Sequence, residues 1–82
     1  MFDKLKQLAQ LREMEGKMKE ERATIEKNGT KVTVNGKFEV EEIILNPTFS
    51  VEDQQRILKD CINEANKKVQ FSLAQKMMGM MQ

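Results

Sequence analysis

Two Asn-Gly pairs close together, Asn28-Gly29 and Asn35-Gly36, constrain this chain most. They lie in the stretch TIEKNGTKVTVNGKFEVEEIILNP, Thr24 to Pro47. Asn-Gly between alternating residues marks a tight hairpin, because a type I′ turn needs positive φ at both central positions. Ala23 and Ile25 alternate with Thr24 and Glu26, and Lys31, Thr33 and Asn35 alternate with Val32 and Val34. A third run, Lys37 to Leu45, begins with Phe38 and Val40 on one face and Glu39 and Glu41 on the other. The pattern predicts a three-stranded antiparallel meander, ended by Pro47, which cannot donate to a ladder. The consecutive Ile43, Ile44 and Leu45 imply that both faces of the third strand are covered. One helix layer covers only one face. The second cover is therefore expected from another subunit or an overhanging helix.

Helical spacing flanks the meander. Leu5, Leu8, Leu11, Met14 and Met18 recur every three or four positions, predicting a helix from Asp3 to about Arg22 with an apolar stripe. Met14 and Met18 read as core. Gly16 interrupts this helix at a cost of about 1 kcal/mol relative to Ala, which close packing against another helix would explain, and so would chance. After Pro47, Ser50 precedes Asp53 by three residues, an N-cap signature with Glu52 and Asp53 in the first turn. Ile57, Leu58, Cys61, Ile62, Ala65, Val69 and Leu73 then keep helical spacing to about Met78, with Gly79 as the expected stop and the last residues as a loose tail. That helix is about 40 Å long, while three strands span only about 10 Å, so it should overhang the sheet. The fold class is α+β, a two-layer α-β-β-β-α arrangement forming a single domain over residues 1–82.

A chain of 82 residues buries a limited core and commonly needs a cross-link, a metal or self-association. One cysteine, Cys61, and no histidine leave no internal disulfide and too few ligands for structural zinc, so self-association is the expected support. Cys61 reads as a small buried hydrophobe. Nothing resembles a signal peptide or a membrane span, and a reducing cytoplasm fits.

The net charge of +1 says little, but its distribution says more. Residues 1–12 carry Lys4, Lys6 and Arg12 against Asp3, or +2, and residues 65–82 carry Lys67, Lys68 and Lys76 with no acid, or +3. The intervening stretch has eight basic and twelve acidic residues, or −4. Basic ends could guide an anionic partner, although ordinary solvated helix faces would give the same asymmetry. If both helices fold back on the meander they run parallel, and the two basic clusters lie far apart within one chain.

The chain resembles the YbaB/EbfC family of bacterial nucleoid-associated DNA-binding proteins. The resemblance rests on the starting MF, the Gln/Lys/Glu-rich first helix with spaced Leu and Met, and VTVNG at Val32–Gly36. It continues through VEEIILNP at Val40–Pro47, LKDCINEANKKV at Leu58–Val69 and the ending QKMMGMM. It implies a homodimer with projecting helices that binds duplex DNA with little or modest sequence preference, within the nucleoid. The glycine-rich run that members often carry before VxVNG is reduced here to Asn28-Gly29, and the longer Pro- and Gly-containing tail is missing.

Catalysis is not expected. There is no His and no Tyr, and Glu41 and Glu42 are adjacent on a strand and point to opposite faces. No cofactor, metal or small-molecule substrate is implied. The candidate phosphate contacts are Lys4, Lys6, Arg12, Lys67, Lys68 and Lys76, with double-stranded DNA as the partner. The candidate dimer contacts are Phe38, Val40, Ile43, Ile44 and Leu45. With no aromatic besides Phe among the charges, base stacking on single strands is not expected. Met77, Met78, Met80 and Met81 form either an adaptable contact surface or the end of a helix and its tail. The rival function is a protein-interaction adaptor with exposed helix stripes.

Overall fold

A computed structural model describes residues 2–80. Helix α1 (Phe2–Glu20) leads into strands β1 (Arg22–Lys27), β2 (Thr30–Asn35) and β3 (Val40–Ile44), and helix α2 (Val51–Met80) follows. The sheet is an antiparallel meander with β2 in the centre. Helix α2 runs through Gly79, so this glycine does not end it. Met81 and Gln82, expected in a tail, lie outside the described residues.

The first hairpin has the predicted geometry. Asn28 and Gly29 take φ of 52° and 83°, and β1 pairs with β2 from Lys27↔Thr30 to Arg22↔Asn35 without a break. The Asn46 side chain donates to the Asn28 carbonyl at 2.8 Å, tying this turn to the end of β3.

The second turn is built differently. Asn35 closes β2, Gly36 and Lys37 form the bend, and the positive φ falls on Phe38 at 63°. This is a longer hairpin loop with a left-handed third residue. Asn35 Oδ1 accepts from the amides of Lys37 (2.9 Å) and Glu39 (3.2 Å), so the buried Asn35 side chain ties the loop together from within. Strand β3 accordingly starts only at Val40. A bulge then sets Thr33 opposite Glu42 but Val34 opposite Val40, which leaves Glu41 as the extra residue. The simple alternation expected from Phe38 onward is lost.

Helix α2 packs across β1 and β2. Ile57, Cys61, Ala65 and Val69, four residues apart, form its buried row against Ala23, Val32 and Val34. Small side chains at Cys61 and Ala65 let the helix approach the sheet closely, and each fully buried Val or Ile contributes about 1.5–3 kcal/mol. Ser50 Oγ accepts from the Asp53 amide at 3.2 Å, the expected N-cap. Beyond Leu73 the helix leaves the core, and residues 74–79 are exposed, so α2 overhangs the sheet.

Helix α1 does not fold back on the meander. Leu5, Leu8, Leu11 and Met14 are each more than half exposed, so Met14 is not a core residue here, and only Met18 is half-buried. The spacing explains this. Each step of three residues falls about 60° short of a full turn, so the row from Leu5 to Met14 winds about 180° around the helix. A flat sheet cannot cover such a row. With α1 projecting, the chain extends 56 × 29 × 14 Å and its radius of gyration is 16.6 Å. A compact domain of this length would have about 12 Å.

Candidate nucleic-acid interface

Helix α1 is held at its foot. The Met18 carbonyl accepts from the Gly36 amide at 2.9 Å and from the Glu21 amide at 3.2 Å. Glu15 reaches Lys37 at 3.8 Å, and Glu21 pairs with Lys76 of α2. The start of α1 carries Lys4, Lys6 and Arg12, all exposed. Successive helical residues are about 100° apart, so Lys4 and Arg12 lie about 80° apart around the helix while Lys6 points away from both.

On α2, Lys67 and Lys68 are exposed, whereas Lys76 lies about 180° around the helix from Lys67 and meets Glu21. The C-terminal cluster, free of acids in the sequence, thus receives one from the root of β1. Lys67 and Lys68 are adjacent and unpaired, about 100° apart around the helix, whereas Lys76 stands more than two turns on and is held by Glu21.

Pairing sorts the remaining cations. Every Lys or Arg of the strands and of the second turn has a carboxylate partner: Arg22 with Glu41 (2.6 Å), Lys27 with Glu64, Lys31 with Glu42 (3.3 Å) and Lys37 with Glu15 (3.8 Å). The hydrogen bond from Arg22 is the main cause holding the Glu41 carboxyl below its ordinary range, and the bond to Glu64 raises Lys27. On the sheet face away from α2, the Thr24 and Thr33 hydroxyls also pair, at 2.9 Å. The cations of that face are held by carboxylates, so it offers little attraction to an anion.

Among the described residues, the cations with no ion pair all lie on the helices. They are Lys4, Lys6, Arg12, Lys17 and Lys19 on α1, and Lys59, Lys67 and Lys68 on α2. Lys17, Lys19 and Lys59 are absent from the charge-based selection because acids close by in sequence mask them. The signal that could have found Lys17 and Lys19 is their place in the last turn of α1, where the helix dipole favours cations.

The five candidate dimer residues lie at the β3 edge of the sheet. Phe38, Val40, Ile43, Ile44 and Leu45 are 43–47% exposed in this single chain, on or beside edge strand β3. Ile43 is opposite Val32 and Val40 opposite Val34, so both share the α2 side of the sheet, yet α2 does not extend over them. Ile44, opposite Lys31, lies on the far face. The overhanging helix therefore does not provide the second cover that Ile43, Ile44 and Leu45 call for.

Cys61 is buried between α2 and the sheet, with Sγ 3.9 Å from the Thr30 carbonyl, and burial pushes its thiol pKa up. It is a core residue. Among the described residues, no group of three or more Cys, Asp or Glu side chains could hold a metal ion, and no helix is long and apolar enough to cross a membrane.

No solved structure matches the chain. The model of one family, the YbaB/EbfC DNA-binding family, matches residues 1–82, and the chain belongs to that family.

Proposed function

We propose that the chain acts as a homodimer that holds duplex DNA through phosphate contacts from its helices. Sequence preference is little or modest, and the role is nucleoid organisation or gene expression. Membership of a DNA-binding family of the nucleoid-associated kind supports the partner. The observation that carries the reading is the sorting of cations: those of the sheet are paired, and those left unpaired stand on the two helices. Lysines serve phosphates as point charges, giving positioning with little sequence information. Lys67 and Lys68 are the principal contacts, Lys4, Lys6 and Arg12 contribute from α1, and Lys76 contributes once it leaves Glu21.

Dimerisation proceeds through β3. Its uncovered Val40, Ile43, Ile44 and Leu45, with Phe38 beside them, form an apolar edge that a second copy would bury. An exposed apolar edge strand is otherwise an aggregation hazard.

A gel shift at low salt tests this reading. A Lys67→Ala/Lys68→Ala/Lys76→Ala variant that remains dimeric should lose duplex binding. The exposed Leu5, Leu8, Leu11 and Met14 on α1 favour a second reading, a protein-interaction adaptor. Absence of any duplex binding by the unmodified protein at about 50 mM salt would favour the adaptor, because phosphate contacts are strongest there.

A further inference from the structure

Phe71 projects from α2 with 65% of its surface exposed, although the core beneath that part of the helix is already filled by Val69 and Leu73. Its neighbours one turn back are Lys67 and Lys68. Four residues of helix place Lys67 about 40° to one side of the ring, and three residues place Lys68 about 60° to the other. Met78, also 65% exposed, lies within about 20° of Phe71 two turns on. The described part of α2 after Glu64 has no acid, and Glu64 is occupied by Lys27. An aromatic ring thus stands on the helix between two unpaired ammonium groups.

The charge around the ring selects the occupant. An apolar protein surface covering Phe71 would have to desolvate both lysines, and the acid one turn back on this face, Glu64, is already paired with Lys27. A DNA groove receives all three groups at once, because phosphates line both of its walls and stacked bases form its floor. We propose that Phe71 is a wedge that enters the duplex between adjacent base pairs while Lys67 and Lys68 hold the flanking phosphates. This rests on the DNA-binding reading and deepens it. One ring on α2 makes no platform for a single strand, but one is enough to part a base step and kink a duplex. Pyrimidine–purine steps part most easily, so a modest sequence preference arises here without any hydrogen bond to a base.

The test uses the full chain and a short duplex with 2-aminopurine at a central TA step, titrated at several salt concentrations. The unmodified protein should raise the 2-aminopurine fluorescence as the step unstacks. Phe71→Ala should abolish that rise and weaken binding about tenfold, leaving the slope of log affinity against log salt unchanged because no phosphate contact is lost. Phe71→Trp should restore both signals. Binding by Phe71→Ala within twofold of the unmodified protein, with the fluorescence rise intact, would overturn the proposal. So would a fall in the mass of Phe71→Ala in sedimentation, which would make Phe71 a contact between subunits. If the unmodified protein binds no duplex at all, the DNA-binding reading itself fails, an outcome distinct from both.

Discussion

The Gly36 amide donates to the Met18 carbonyl at 2.9 Å, and a Cβ at Gly36 would lie 2.1 Å from that same oxygen. Real Cβ atoms do not come so close to a carbonyl oxygen, so glycine at position 36 is what allows α1 to dock its foot on the second turn. The other Asn-Gly pair serves the hairpin, where Gly29 takes positive φ. Two identical dipeptides thus do different work, one shaping a turn and the other admitting a helix.

Gly36→Ala should therefore destabilise the protein by about 1–3 kcal/mol, the usual range for overpacking. Gly16→Ala is the matched control: nothing lies within 4 Å of a Cβ there, and the substitution should stabilise α1 by up to about 1 kcal/mol. For a domain of this size, 1 kcal/mol moves the thermal midpoint by about 4–8 °C. Melting of both variants should show shifts of opposite sign. A Gly36→Ala variant that melts no lower than the unmodified protein would remove Gly36 from its assigned role.

Ile43→Glu should leave the secondary structure intact, since Ile43 is 44% exposed in the single chain, and should lower the sedimenting mass from dimer to monomer. DNA binding should fall only as a consequence. Circular dichroism with analytical ultracentrifugation checks this, and a variant that stays dimeric would move the subunit contact away from β3.

The pairing of Glu41 with Arg22 sets an acid limb in the stability profile. The folded pKa of Glu41 lies below its ordinary 4.5, so the unfolded chain binds more protons in that window and stability rises with pH across it. The contribution is present above 4.5 and is lost as pH falls through the lowered folded value. Lys27 behaves in mirror image: its folded pKa is raised, so its contribution is present below 10.5 and is lost as pH rises through the folded value. Thermal midpoints measured from neutrality down to about pH 3 should fall less steeply for Glu41→Gln than for the unmodified protein. Both pairs are exposed, so the differences should be small.

Glu21→Gln should tighten duplex binding and steepen its salt dependence, because it frees Lys76 for a phosphate. Fluorescence anisotropy at a series of salt concentrations reads both quantities. Unchanged affinity would mean that Lys76 faces away from the duplex.

The element order and the α2 core are legible in the sequence because local signals carry them: Asn28-Gly29, the alternation around Val32 and Val34, the Ser50 cap, and the spacing from Ile57 to Val69. The second turn is not, since Asn35-Gly36 has the same letters as the first pair and differs only through its contact with Met18. The exposure of α1 is readable only when steps of three are followed around the helix rather than counted along it. The distribution of free cations is less legible still. Lys76 and Glu21 are 55 residues apart in sequence and meet only when α2 crosses the sheet to the root of β1. Charge counted along the chain cannot show which lysines the fold has already neutralised.

The salt dependence of duplex binding tests the central claim most directly. A dimer that neutralises six to ten phosphates should bind a short duplex at about 50 mM salt and lose about 10³–10⁵-fold in affinity by about 200 mM, with log affinity linear in log salt concentration. Binding that is absent at the lower concentration, or that does not change between the two, would contradict it.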